Sequence, residues 1–511
     1  MARKTESKNG TTITAASLMP AATTTNAARA SSVFEILGPR SCTVDLAAAH
    51  DPRRKGRQRL QSQHNPSAWR GSQPLPAVSD TLASSLGGEN YMEPSSKKFF
   101  GPWIIASCFV TFGLSTGFPY YNIAFFFDYF RDGHSWPVEL VTLGAPIAVL
   151  LTIWIGPVIV PKTSPRKLIL IGTFLTFLSF QWFGRLSGNE YEYYAAWCLY
   201  MAGYFLSGPI PHQVIISNWY KRRRGMAMGI AYVGVAVIGA ACNLLTPYLT
   251  RTLDHYTDAL RALSFLMMIA WPLAFFVIRD KPEDMGQLPD GAQSAGDVEG
   301  AATVEKLDEP EPTKTFGELS RRSSFWLLLI GSAASIGSIA AVNFLMKFVY
   351  EEQGFTDQVA RDNVWARASY TYLLSSISGR LLAGWLADKL PRKYVMLATY
   401  IIVALAIPLL FLVTPEQPNM VFVFAIVFGL AMGADYMLIP LMAADQFGLR
   451  SLGKAMSAIL PSDTILQFWT PRFIAVLAGR LAGYSQALWA VFGLAALGAV
   501  AIGLLPRKRR D

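Results

Sequence analysis

Cysteine is scarce and scattered in this 511-residue chain. Cys42, Cys108, Cys198 and Cys242 are the only four, with no C-x-x-C pair and no histidine beside them. Neither a disulfide framework nor a zinc site is supported. Charge is scarce as well: 16% of residues are charged and 52% hydrophobic, against roughly 25% charged in soluble proteins, and the mean hydropathy is +0.30. A single soluble globule is excluded. Catalytic patterns are also missing, since no H-E-x-x-H or G-x-S-x-G stretch occurs. We therefore expect no enzyme, no metal and no cofactor. The nearest approach to a phosphate-binding loop, Gly448-Leu449-Arg450-Ser451-Leu452-Gly453-Lys454-Ala455, places Ala455 where a magnesium-binding hydroxyl is required, and no strand precedes it. A nucleotide-driven machine is excluded on that ground.

What is present is a series of long apolar runs. Crossing a bilayer takes about 20 apolar residues, and twelve segments qualify: 99–127, 138–160, 167–187, 193–217, 225–249 and 259–278, then 324–348, 364–388, 393–413, 418–443, 453–478 and 483–505. The fold expected is an all-α membrane protein of twelve transmembrane helices. A polar, largely acidic stretch at 279–322 divides them six and six as a linker between halves 99–278 and 323–505. Residues 1–98, rich in Ala, Ser, Thr, Arg and Pro, contain no spanning run and no signal-peptide core, so a disordered tail is expected. Met92 stands just before the first span, as the start of a shorter chain would, and peptides from residues 1–91 would refute that start. A basic tail follows at 506–511.

Orientation follows from the short loops. With the N-terminus inside, the inner loops hold twelve basic residues: Lys162, Arg166 and Lys167; Lys221, Arg222, Arg223 and Arg224; Lys389, Arg392 and Lys393; Arg450 and Lys454. The outer loops hold six, namely Arg131, Arg251, Arg261, Arg361, Arg367 and Arg480, with Arg185 and Lys347 taken as helix-end residues. Basic residues collect in the cytoplasm, so both termini are expected there, in a plasma (inner) membrane. The same rule accounts for the net charge of +10 without a nucleic-acid partner. Pro165-Arg166-Lys167 opens the third span and Pro391-Arg392-Lys393 the ninth. This repeat six helices apart suggests two parallel halves with a substrate site between them near mid-membrane.

Several motifs carry a family resemblance. Gly384-Trp385-Leu386-Ala387-Asp388-Lys389-Leu390-Pro391-Arg392-Lys393 resembles the loop signature of the major facilitator superfamily, with Gly384 allowing close helix approach and Asp388, Lys389 and Arg392 forming a conformational latch. The equivalent first-half stretch, Gly156 to Lys162, lacks the acid. Asn218-Trp219-Tyr220-Lys221-Arg222-Arg223-Arg224-Gly225-Met226-Ala227-Met228-Gly229-Ile230-Ala231 is similar to the monocarboxylate transporter and oxalate:formate antiporter branch, and Gly225, Gly229 and Ala231 would let the fifth helix approach a neighbour. Phe325-Trp326-Leu327, Gln353-Gly354-Phe355-Thr356 and the Pro282 to Gly291 segment extend the likeness.

Ionisable groups inside a bilayer are costly and mark candidate sites. Arg380 in the eighth span matches the branch's arginine, which the resemblance casts as the partner of a substrate carboxylate; its planar fork suits bidentate recognition. The bland alternative is a structural ion pair with Asp435 or Asp463. Either carboxylate is a candidate for pairing or proton carriage. Arg472 stands nine residues from Asp463, on nearly the opposite helix face, as a second cation or one that snorkels outward. Where the resembled monocarboxylate transporters carry a lysine after Phe-Pro, this chain has Tyr120, and their helix-8 aspartate is Ser376. Two of three implied charge partners are therefore absent, which argues against proton-coupled monocarboxylate uptake and leaves recognition of an anion. Tyr120, Tyr121 and Asn122 are candidate donors to it, with His212 a further substrate-site candidate.

The function expected is secondary transport of a small organic anion, a mono- or dicarboxylate, by a monomer in the lipid bilayer, with a coupling ion or counter-anion. The alternatives are a carrier of neutral or drug-like solutes and a non-transporting membrane sensor.

Overall fold

The computed structural model describes residues 98–292 and 315–506; the expectations for the tail, for Met92, for most of the acidic stretch and for the basic residues beyond 506 lie outside them. Among the described residues every regular element is helical. We number the passes α1 Gly101–His134, α2 Val138–Thr152 with its continuation Ile155–Ile159, α3 Pro165–Phe183, α4 Glu190–Ser207 with Pro209–Trp219, α5 Arg224–Thr252 and α6 Tyr256–Val277. The second set is α7 Ser323–Glu352, α8 Gln358–Lys389, α9 Arg392–Leu412, α10 Met420–Phe447, α11 Leu449–Arg480 and α12 Tyr484–Gly503. Seven of these are long and apolar enough to cross a bilayer on length and composition alone. The others are interrupted, as at Gly208, or diluted with polar residues.

Helix ends follow local chemistry. Ser164, Asn189 and Asp357 cap α3, α4 and α8 by accepting bonds from backbone N–H groups of the first turn. The Glu352 carboxylate, at the end of α7, accepts from the backbone N–H groups of Tyr484 and Ser485 and so caps α12. Within α1, Pro119 cannot donate to the preceding turn, and the helix widens into a π turn over Gly113–Gly117 just before it.

Helix pairing repeats six helices on. α1 packs on α5 as α7 does on α11, α2 on α4 as α8 on α10, and α3 on α4 as α9 on α10. Across the two sets, α5 meets α8 and α11 meets α2. The closest approaches need glycine. A β-carbon at Gly433 would overlap the Ser376 carbonyl oxygen, and one at Gly379 that of Leu430, so the α8 and α10 backbones touch. Gly225 and Gly229, expected to serve α5 in this way, face open space; Gly234 does so instead, against Phe109 of α1.

The first part of the expected linker is docked. Asp280 accepts from the Ser164 hydroxyl and, at 2.8 Å, from the Arg166 backbone N–H. Asp290 Oδ2 accepts from the backbone N–H groups of Lys221 and Arg222, each at 2.8 Å. Gln287 bridges the Phe100 N–H and the Lys98 carbonyl, 3.0 Å each. The Pro282 to Gly291 motif is thereby explained: it straps the base of α1, α3 and the α4–α5 turn.

Candidate functional site

We call the end of the bundle near Lys98 and Pro506 proximal and the opposite end distal. At the distal end the two helix sets are joined by a buried charge network. Lys347 of α7 has its Nζ 2.8 Å from Asp128 of α1 and 2.7 Å from Asp362 of α8, donates to the Phe125 carbonyl at 2.9 Å, and lies 3.9 Å from the centre of the Phe125 ring. Arg361 adds a 3.3 Å contact to Asp128, and the Tyr129 hydroxyl donates to Asp362 at 2.6 Å. Lys347, Asp128, Asp362 and Arg361 are all buried. Nearer the surface, Arg131 of α1 grips Glu351 of α7 through two bonds of 2.7 and 3.0 Å. Lys347 is thus an interior residue, and Arg131 and Arg361 belong to helices rather than loops. Hydropathy falls at these charges, but mutual pairing lets the helices continue through them.

Halfway along the bundle lies an aromatic cluster. Tyr120 of α1 makes ring contacts with Tyr121, Tyr204, Phe344 and Phe468. Gln467 of α11 donates to the Tyr120 hydroxyl at 2.6 Å and to that of Tyr436 at 3.2 Å, linking the two sets. Tyr436 is 38% exposed although it faces Gln467 and the Arg380 region, so the sets do not close completely around it. Arg380, partly buried, reaches from α8 and donates to the Tyr232 carbonyl of α5 at 2.8 Å. Tyr121, Tyr232 and Tyr436 are its electrostatic neighbours. Among the described residues no carboxylate pairs with Arg380.

The alternative ion pair is not formed. Asp435 accepts from Ser335 and Asp463 from Ser332, each at 2.7 Å, on one face of α7. Arg472 lies elsewhere, next to Tyr194 of α4, with no ion pair among the described residues and one guanidinium nitrogen buried without a partner. Two expected donors are turned to other tasks. Asn122 is fully buried and donates to Asn243 and Thr246 of α5 at 3.2 and 2.5 Å. His212 is buried, stacked on Phe112 and held at both ring nitrogens, Nδ1 2.8 Å from the Gly208 carbonyl and Nε2 3.0 Å from the Thr111 hydroxyl. The carbonyl fixes the proton on Nδ1 and leaves Nε2 to accept. Gln467 and the distal network were missed from sequence; a glutamine within an apolar span was a usable signal for the former.

The proximal end is loose by comparison. Leu381 and Trp385 of α8 and Met226 of α5 are exposed. Asp388 is exposed and unpaired among the described residues, Lys389 sits 4.0 Å over the Trp385 ring, and Arg392 pairs within its own set with Asp445 at 2.7 Å. Gly384 faces only the flexible end of Met437. The signature residues therefore make no latch between the two sets in this state.

Two paired helix sets locked by ion pairs at the distal end, with aromatic and basic side chains facing each other between them at mid-level, are the geometry of an alternating-access carrier. The profile of the Major Facilitator Superfamily matches residues 164–368 and again 365–511. The chain belongs to the major facilitator superfamily. Its fold is accordingly the all-helical one of this superfamily, and the protein is a multi-pass membrane transporter. An MFS-type transporter of Aspergillus terreus, pytF, is 26% identical over 302 residues, covering 57% of this chain and 91% of that protein. A bacterial homologue of the human lysosomal transporter Spinster, solved inward-facing and unoccupied, is similar in fold at a TM-score of 0.53 and 12% identity, over 80% of this chain and 95% of that one.

Proposed function

We propose that this superfamily member carries a small organic anion, a mono- or dicarboxylate, and that Arg380 draws its negative charge in between the helix sets. The observation that supports the reading is the arginine's situation: a permanent, partly buried cation between the helix sets, bonded to one carbonyl and paired with no acid among the described residues. A guanidinium so placed lacks a counter-charge, and an incoming carboxylate supplies one bidentately. The phenols of Tyr121, Tyr232 and Tyr436 surround it and are suited to donate to the remaining carboxylate lone pairs. Tyr120, held by Gln467, forms the aromatic wall.

With the basic loops on the cytoplasmic side, the proximal end is cytoplasmic and the structure is inward-facing, its distal network closed toward the outside of a plasma membrane. The motif likeness to the monocarboxylate and oxalate:formate branch agrees with an anionic cargo. A flat, drug-like solute is the second reading, favoured by the ring contacts around Tyr120.

Arg380→Ala should abolish saturable uptake of the transported carboxylate in proteoliposomes, and Arg380→Lys should weaken affinity about ten- to a hundredfold, the worth of charge-assisted hydrogen bonds of roughly 1.5–3 kcal/mol. A panel of mono- and dicarboxylates assayed by counterflow identifies the cargo. Undiminished uptake by folded Arg380→Ala, with competition by neutral aromatics only, would replace the anion reading with the second one.

A further inference from the structure

The second helix set contains two buried carboxylates without a counter-cation. Asp435 is fully buried and Asp463 is 3% exposed. Each spends one oxygen on a serine of α7, and the other oxygens, Asp435 Oδ1 and Asp463 Oδ2, have no hydrogen-bond partner. Ser332 and Ser335 are three residues apart and share a helix face, so α7 holds both acids along one line. Tyr400 of α9 is fully buried, and its hydroxyl lies beside Asp435 and Ser335. The two carboxyls and the phenol thus lie within electrostatic reach of one another between α7, α9, α10 and α11, each carboxyl with one oxygen free.

Among the described residues no fixed positive charge pairs with them. Arg380 pairs with neither acid and points across to the Tyr232 carbonyl of α5. Lys347 is twelve residues from Ser335 along α7, about 18 Å at 1.5 Å per residue, and is already bound at the distal network. Lys454 and Arg472 each stand nine residues from Asp463 on α11, about 13.5 Å away by the same rise. On α9, Arg392 is paired with Asp445 and Lys393 donates to the Leu505 carbonyl. Among the described residues the other titratable neighbours of the pair are the phenols Tyr400 and Tyr436. Apolar surroundings do not hold uncompensated carboxylates.

We propose that Asp435, Asp463 and Tyr400 form the binding site of the driving cation, a proton or a sodium ion, coordinated by oxygen alone. This rests on the reading of the protein as a gradient-driven carrier. The site has a route to the aromatic cluster through its own helices. Tyr436, the residue after Asp435, adjoins that cluster, and Gln467, one turn from Asp463, bonds both Tyr436 and Tyr120. Neutralising the acids changes how α10 and α11 seat against α7, and that shift reaches Tyr436 and Gln467 directly.

The test is an infrared difference titration of the purified full chain in liposomes, first in sodium-free buffer and then with sodium chloride, using protons and sodium themselves as probes. Wild type should show a protonated-carboxyl band that titrates with pH and is lost in Asp435→Asn/Asp463→Asn. Ser335→Ala, a small change that spares folding, should bind the proton about tenfold more tightly, because one hydrogen bond to the charged form is removed. A band displaced by sodium identifies sodium as a competing occupant, and a band indifferent to sodium identifies the proton alone. The same band in the double variant as in wild type, or an unmoved midpoint in Ser335→Ala, would overturn the proposal. The readout needs no cargo, so its failure is separate from that of the anion reading. In transport, Asp435→Asn should lose gradient-driven accumulation yet retain counterflow.

Discussion

Replacing Lys347 with methionine tests the distal network as the outer gate. The side chain is nearly isosteric, so the perturbation is one of charge. In the closed state the ammonium neutralises Asp128 and Asp362 at 2.8 and 2.7 Å. Without it Asp128 keeps Arg361 and Gln358, whereas Asp362 keeps the Tyr129 hydroxyl and a long contact to Gln358. One negative charge is left uncompensated in a buried site, which costs about 3–5 kcal/mol. In the open state water reaches these groups and most of that cost disappears. At roughly 1.4 kcal/mol per tenfold, the ratio of closed to open distal ends should fall by about two to nearly four powers of ten. Spin labels at Ser187→Cys and Gln417→Cys, both at exposed distal positions, report the separation by pulsed dipolar spectroscopy. Cys108 and Cys242 are buried, so Cys42→Ser and Cys198→Ser give a clean background. Lys347→Met should lengthen the distance, and adding Asp362→Asn should shorten it again, because a pair removed together leaves no stranded charge. An unchanged distance in folded Lys347→Met, or a double variant no more closed than the single one, would refute the reasoning.

Other consequences are open to simpler measurements. Gly433→Val should lower the yield and melting temperature of the detergent-solubilised protein, since overpacking costs about 1–3 kcal/mol or more and the obstacle is the Ser376 carbonyl; Gly453→Ala, with open space around it, should not. Asp290→Ala removes two 2.8 Å bonds to the α4–α5 turn and should destabilise the first helix set by about 2–3 kcal/mol at 1–1.5 kcal/mol per bond, read as a lower melting temperature. Gly229→Leu should leave stability unchanged yet slow transport several-fold, because the glycine faces emptiness now and lies on the proximal part of α5 that must approach α8 when that end closes.

The helical passes were legible because hydropathy reports them directly, and Arg380 because a cation in an apolar run is conspicuous. The distal network was not. Asp128, Lys347, Arg361 and Asp362 sit where apolar runs fade, and from local sequence they read as helix ends and loops. Only tertiary structure brings position 128 beside 347 and 362. The same holds for glycines: Gly225 and Gly229 stand in a recognisable motif yet touch nothing in this state, while Gly234, Gly379 and Gly433 take the close contacts. Asn122 and His212 stand out in the sequence as polar groups in apolar helices, but the partners of Asn122 on α5 and the Thr111 hydroxyl of α1 that meets His212 are tertiary, and no local signal identifies them.

The distal network has one electrical property that follows from its composition. In the buried core of the seal Asp128 and Asp362 cancel Lys347 and Arg361 and the sum is zero, while Arg131, nearer the surface, is shared by Glu351 and the exposed Asp132. Moving an uncancelled elementary charge through the membrane field would change its energy by about 2.3 kcal/mol per 100 mV; opening this seal transfers none. Voltage across the membrane should leave its equilibrium alone, and any current recorded during turnover belongs to the cargo and to the ion that accompanies it.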